Sequence, residues 1–208
     1  MPSVPYAAIR RLAAYLHWLA TCPEESVTSS DLGRALGYSA DQVRKDLAYF
    51  GAFGTRGVGY DREELQQELR DVLQLSRGVR IMVVGAGHLG TALMRYLSRE
   101  HDDLQVVACV DVNPQLVGQV LGNLTVEPLE SLEDIVQKRR VQIAVLAVPG
   151  DQAPDLGERL ADAGIRVMLN FAPAIVCANR TDVFVQHVDW SLDLTALAYY
   201  VPKDNGKK

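Results

Sequence analysis

Cysteine is scarce: Cys22, Cys109 and Cys177 are three in 208 residues, odd in number and widely spaced. That pattern argues against a disulfide framework and a four-cysteine metal site, and it fits a reducing, cytoplasmic setting. Cys109 and Cys177 sit in apolar surroundings and read as buried structural thiols. No His/Cys/Asp/Glu group falls at metal-ligand spacing, so no metal is expected. Long apolar runs are missing too. None approaches the ~18 residues of a membrane span, and Arg10, Arg11 and His17 interrupt the N-terminal apolar residues, so neither a membrane span nor a signal peptide is expected. Charge of one sign does not dominate either. The net value of −5 combines residues 1–60, with six Lys/Arg against five Asp/Glu, and the rest, with 15 against 21. A weakly positive first part marks where nucleic-acid contact should be sought. Hydrophobic content of 48% supplies ample core for one medium domain or two small ones.

What the chain does have is Arg80 to Gly90. Ile81 to Val84 read as a short buried strand. Gly85, Gly87 and Gly90 follow at G-x-G-x-x-G spacing, and an amphipathic run from Leu89 to Leu97 continues as a helix. This order is what a pyrophosphate site requires. Gly85 permits the tight turn, a side chain at Gly87 would meet the pyrophosphate, and Gly90 brings the helix close to the strand. The backbone N–H groups along Gly85, Ala86, Gly87, His88, Leu89 and Gly90 then face phosphate, helped by the helix dipole. For His88 the backbone N–H, not the ring, is the expected contact.

Leu104 to Val110 is a second buried strand ending at Asp111, 21 positions past Gly90. An acidic residue there accepts hydrogen bonds from the adenosine ribose and repels a 2′-phosphate, which favours NAD over NADP. Further on, Val126 marks a short strand, Leu129 to Arg140 a helix, Val141 to Val148 a strand stopped by Pro149-Gly150, and Asp151 to Ala163 a helix closed by Gly164. Ile165 to Leu169 and Val183 to Val188 are the last strands. Strand–helix alternation of this kind predicts a doubly wound parallel sheet. Its ligand edge holds Val148, Pro149, Phe171 and Pro173. His17 and His101 read as surface residues, and His187 as a structural hydrogen-bonding group.

Before this domain the spacing is helical. Ile9, Leu12, Ala13, Leu16 and Leu19 predict a helix from about Tyr6 to Ala20. Ser29 or Ser30 caps a short helix, Asp31 to Leu36, which Gly37 ends. Ser39 caps the next, whose apolar face is Val43, Leu47 and Phe50. Two short helices around a Gly turn make a helix-turn-helix, and the second enters the major groove. Gly51 to Tyr60, with four glycines around Arg56, reads as a β-hairpin wing whose tip enters the minor groove. The candidate DNA contacts are therefore Ser29, Ser39, Gln42, Arg44, Lys45, Tyr49, Arg56 and Gly57. Gln pairs with adenine, and Arg or Lys with guanine. Asp46, inside the basic run, is expected to pair with a neighbouring Arg or to orient Arg44. Residues 61–76 form one more amphipathic helix.

The tail from Asp189 to Val201 reads as a helix apolar on more than one face, suited to a deep groove of its own chain or to a partner subunit. Lys203 to Lys208 are expected to be disordered.

The blocks Gln42 to Gly51, Gly54 to Tyr60, Gly85 to Gly90, Leu169-Asn170-Phe171-Ala172-Pro173 and Val188-Asp189-Trp190 together resemble the Rex family of redox-sensing transcriptional repressors, across essentially the whole chain. The first two blocks carry the match; the glycine motif is widespread. The resemblance implies a winged-helix DNA-binding domain over 1–77, a Rossmann domain binding NADH or NAD+ over 78–190, and a swapped C-terminal helix and tail over 191–208. It implies a homodimer on palindromic operator DNA, released when NADH binds. The nicotinamide would lie against Trp190, where the family carries Phe or an aliphatic residue. Arg11, Tyr96 and Asp189 match residues linked to the family's switching. A dehydrogenase would need a substrate domain and a positioned proton donor. No such set follows the strands, so an enzyme is not expected. A CoA- or nucleotide-binding module without DNA binding is the third reading.

Overall fold

Side-chain caps open three of the four helices of the first part of the chain, all but the first. In the computed structural model, residues 4–51, 53–54, 59–100 and 103–202 are described. Helix α1 (Tyr6–Leu19) buries Leu12, Tyr15, Leu16 and Leu19. After the two-residue strand β1 (Ser26–Val27), helix α2 (Ser29–Leu36) opens on Thr28. The Thr28 hydroxyl accepts the Asp31 N–H at 3.2 Å while the Asp31 carboxylate accepts the Thr28 N–H at 3.0 Å. This reciprocal pair corrects the expected cap at Ser29 or Ser30: only Thr28 has an acidic residue three positions on, and both serines lie inside the helix. Gly37, at φ +76°, ends α2 as expected. Ser39 caps α3 (Ala40–Ala48), accepting the Gln42 N–H at 3.1 Å. Strand β2 (Tyr60–Asp61) pairs antiparallel with β1, and Asp61 caps α4 (Arg62–Val72), which stops short of the expected Ser76. Leu12, Leu32, Val43, Leu47, Leu65 and Leu69 share one core. The expected wing tip, with Arg56 and Gly57, lies outside the described residues, as do His101 and the Lys203–Lys208 tail.

The chain folds as two compact units, Met1–Gly78 and Val79–Lys208. In the second, the elements are β3 (Val79–Val84), α5 (His88–Glu100), β4 (Leu104–Asp111), β5 (Val120–Leu121), β6 (Leu124–Pro128), α6 (Leu132–Lys138), β7 (Ile143–Leu146), α7 (Ala153–Asp162), β8 (Val167–Asn170), β9 (Phe184–His187) and α8 (Trp190–Ala198). The strands lie in the order β5-β6-β4-β3-β7-β8-β9. All neighbours are parallel except the short β5, which runs antiparallel on β6 and was not foreseen. Successive residues of β3 face opposite sides of the sheet. Ile81 and Val83 join Met94, Cys109 and Val145 on one side; Met82 and Val84 join Leu132, Leu146 and Leu160 on the other. Strand order reverses between β3 and β7, which places a crevice at their carboxyl ends.

Two expectations shift in detail. A 3₁₀ turn, Leu129–Ser131, follows Pro128, the last residue of β6, and precedes α6. Strand β7 is only four residues, since Pro149 stops it early and Val141 belongs to the preceding turn, its N–H on Val136 O. The connection between β8 and β9 carries no helix; a buried Asn170 organises it instead.

Candidate dinucleotide crevice and DNA-facing helix

The glycine turn is built by three different constraints. Gly85 sits at φ +102°, and a Cβ there would overlap the Ala147 carbonyl oxygen at the end of β7. A Cβ on Gly90 would overlap the Gly85 carbonyl oxygen, so α5 lies directly against the turn. A Cβ on Gly87 would meet nothing within 4 Å. No protein packing demands a glycine at 87, and the open space is what an approaching pyrophosphate needs. The N–H groups of His88, Leu89 and Gly90 precede the bond from Thr91 N–H to Gly87 O at 2.9 Å. Asp111 closes the other side: Oδ2 accepts the Ala86 N–H at 2.6 Å, and Oδ1 accepts the Asn113 N–H at 2.7 Å. The carboxylate expected at the ribose therefore also fixes the turn.

Two cavities flank the loop. One, of about 210 Å³, opens between Gly87, Asp111, Val148 and Pro149 and is backed by Leu116, Leu129 and Leu156. Its largely apolar lining, with the Asp111 carboxylate among it, suits an adenosine. The other, of about 550 Å³, is lined by Leu89, Phe171, Pro173, His187, Asp189 and Trp190. The Phe171 and Trp190 rings meet edge to face at 6.0 Å. The predicted ligand residues thus divide between the two cavities. Ala86, His88 and Gly90 shape the loop without lining either.

Asn170 was missed as a site residue, although it ends an apolar strand where a polar residue calls for partners. It is fully buried. Its Oδ1 accepts the Ala172 N–H at 2.9 Å, while Nδ2 donates toward Ala174 O at 2.8 Å and His187 Nδ1 at 3.0 Å. This clamp holds Phe171 and Pro173 at the cavity, and it gives His187 its expected structural role. All three cysteines are buried and free; burial pushes the Cys109 thiol up to about 12. Among the described residues no group of three His/Cys/Asp/Glu side chains could hold a metal, and no helix is long and apolar enough to cross a membrane.

In the first unit, α2 and α3 approach so closely that a Cβ on Gly33 would stand 2.5 Å from Tyr38 O. The outer side of α3 presents Arg44, Lys45 and Tyr49, all exposed. Arg44 rests on Asp41 and reaches the Ser29 hydroxyl at 3.5 Å. Ser29 is buried and lies 3.3 Å from the Tyr60 hydroxyl. Gln42, expected to face bases, turns inward and donates from Nε2 to Asp46 at 2.9 Å. Asp46 does not orient Arg44. It is fully buried and receives a two-pronged ion pair from Arg11, Nε to Oδ2 at 2.6 Å and Nη2 to Oδ1 at 2.7 Å. Tyr15 donates its hydroxyl to the same carboxylate at 2.8 Å. Burial alone would raise the Asp46 carboxyl; the bonds from Arg11, Tyr15 and Gln42 outweigh it and hold it below the usual carboxylate range. Of the remaining switch candidates, Tyr96 is exposed on α5, and Asp189 caps α8, accepting the Ser191 N–H at 2.9 Å and its hydroxyl at 2.6 Å.

Helix α8 has no buried residue. Trp190, Leu192, Leu194 and Leu197 are each more than half exposed. It does not lie in a groove of its own chain, the first of the two alternatives the sequence left open.

A capped helix-turn-helix unit followed by a dinucleotide-type α/β unit defines a DNA-binding regulator with a nucleotide-type ligand domain. Two family models divide the chain the same way: "Putative DNA-binding protein N-terminus" matches residues 3–48 and "CoA binding domain" residues 77–174. Redox-sensing transcriptional repressors Rex from Natranaerobius thermophilus and Roseiflexus sp. are 40% and 36% identical to the chain. The alignments cover 94% and 98% of it and 90% and 94% of those proteins. The crystal structure of RSP, a Rex-family repressor, in complex with β-NAD+ and operator DNA superposes with a TM-score of 0.88 at 32% identity, covering 97% of this chain and 94% of RSP. RSP in complex with β-NADH gives 0.84 at 31%, covering 97% and 95%. The chain belongs to the Rex family of redox-sensing transcriptional repressors.

Proposed function

We propose that this chain is a homodimeric repressor that holds palindromic operator DNA and releases it when NADH binds, so that operator occupancy follows the cytoplasmic NADH/NAD+ ratio. The observation that carries the reading is the open space at Gly87, in a crevice on the same chain as a capped, basic helix-turn-helix. Asp111 faces the ribose and turns away a 2′-phosphate, Leu116, Leu129 and Leu156 back the adenine, and the amides from Gly87 to Gly90 take the pyrophosphate. A reduced nicotinamide ring is neutral, whereas an oxidised one carries a positive charge. Phe171, Pro173 and Trp190 offer an apolar wall that favours the neutral ring. Trp190, a larger residue than is usual there, fills more of that wall.

Arg44, Lys45 and Tyr49 meet the major groove, with Ser29, Ser39 and Gln42 behind them. Arg56 and Gly57 form the minor-groove wing. The apolar residues of α8 are covered by a second copy of the chain in a helix swap. Such a two-fold dimer spaces its two recognition helices by roughly one helical turn of DNA, about 34–36 Å, or a multiple of it. Arg11 and Tyr96 of one protomer, with Asp189 of the partner subunit, remake their polar contacts as the two states exchange.

For ligand to shift the population, the cavity at Trp190 must differ in affinity between the two states. Duplex binding by the purified protein, titrated across NADH/NAD+ ratios, tests this. Release by NADH at concentrations where NAD+ leaves the complex intact is expected. Equal release by both overturns the proposal.

A further inference from the structure

Asp46 is a charged residue with no exposed surface, on the helix whose other side carries the DNA-facing cations. Four donated bonds converge on its two oxygens. Arg11 and Tyr15 come from α1, and Gln42 comes from one turn earlier on α3. The Tyr38 ring, in the turn between α2 and α3, packs on Tyr15 at 6.1 Å and lies 5.9 Å from the Arg11 guanidinium. An apolar side chain at 46 would join α1 to α3 without a desolvated charge. What an apolar contact lacks is direction. A planar guanidinium paired through two nitrogens fixes how α3 is rotated about its own axis, because each bond weakens steeply off line. Successive residues of a helix are about 100° apart, so even a modest rotation swings Arg44 and Lys45 away from a given base.

We propose that Asp46 is a positioning residue for sequence recognition: without touching DNA, it sets the rotation of α3 through Arg11 and Tyr15, and Gln42 serves this network instead of reading a base. This rests on α3 being the recognition helix. It makes specificity depend on an interior ion pair: Arg44 and Lys45 can reach phosphates on any duplex, but they meet a given base edge only when α3 is held at one rotation.

The test compares affinity for an operator selected by the wild-type protein from a random duplex pool with affinity for a scrambled duplex of equal length. Asp46→Asn keeps the shape and removes the charge. It should reduce the operator-to-scrambled affinity ratio by about tenfold or more, with scrambled-duplex affinity held within about twofold. Tyr15→Phe, which removes one donor and leaves the packing, should reduce the ratio by roughly threefold. It decides the matter alone if Asp46→Asn does not fold. Operators selected afresh with Gln42→Ala should show the same preferred bases. The proposal is overturned if the ratio stays within about twofold in the folded variants, if operator and scrambled affinities fall together, or if Gln42→Ala changes the preferred base at one position. A wild-type protein that selected no duplex at all would instead defeat the reading of α3 as a recognition helix.

Discussion

Asp111 accepts the Ala86 N–H at 2.6 Å, so the carboxylate ending β4 is tied to the turn that ends β3. Loop shape and the proposed ribose contact therefore share one side chain. Asp111→Asn should weaken NADH binding and narrow the preference for NADH over NADPH by about tenfold, since the charge opposing a 2′-phosphate is gone. Calorimetric titration with both ligands checks this, and an unchanged preference would show that Asp111 serves the loop alone.

Gly87 and Gly90 should separate in opposite senses. At Gly90 a methyl overlaps the Gly85 carbonyl, so Gly90→Ala should destabilise the second unit by roughly 1–3 kcal/mol. At Gly87 a methyl meets open space, so Gly87→Ala should leave the melting temperature nearly unchanged and still reduce NADH affinity. Thermal melts beside ligand titrations read both. Equal ligand affinity in Gly87→Ala and wild type would contradict the placement of the pyrophosphate.

The Asp46 network has a pH signature. Its carboxyl lies below the usual range in the folded chain, so its contribution to stability is fully present above the unfolded-state value and is lost as pH falls through the folded one. Melts of the first unit from about pH 7 to about pH 3 should show a steep acid loss that Asp46→Asn flattens. An identical acid slope in both proteins would mean that other carboxylates set it.

Most of the sheet was legible because β3, β4 and β7 are apolar runs bounded by glycine, Asp111 and proline, and a strand buried on both faces leaves that record. The glycine motif was legible because its spacing encodes a local turn. The partners of Asp46 were not. Arg11 lies 35 positions away, and nothing in local spacing tells which of several arginines a buried carboxylate will meet. The partner of Gln42 was hidden for the same reason: its place on α3 fits a base reader, and only the position of Asp46 one turn on, facing inward, draws its amide to the carboxylate. The two-residue β5 and the helix-free link after Asn170 depend on tertiary hydrogen bonds that no periodicity records.

Leu194→Asp together with Leu197→Asp should abolish dimer formation and, with it, tight binding to a two-half-site operator. Both side chains are well over half exposed on α8, and a charge there cannot enter an apolar interface without large cost. Sedimentation velocity reads the first effect and duplex titration the second. A dimer that survives both substitutions would place the interface elsewhere.

The bare α8 also bears on how much of this protein a cell must hold. A helix whose Trp and Leu side chains stay in water gains little from its own chain and stands to gain ~1.5–3 kcal/mol for each large side chain that is covered. In the proposed dimer the folded state becomes a function of abundance: diluting the chain should lower its melting temperature, and a newly made copy without a companion would offer a greasy segment to proteases and chaperones. Copy number would set not only how many operators are filled but whether the sensor persists at all.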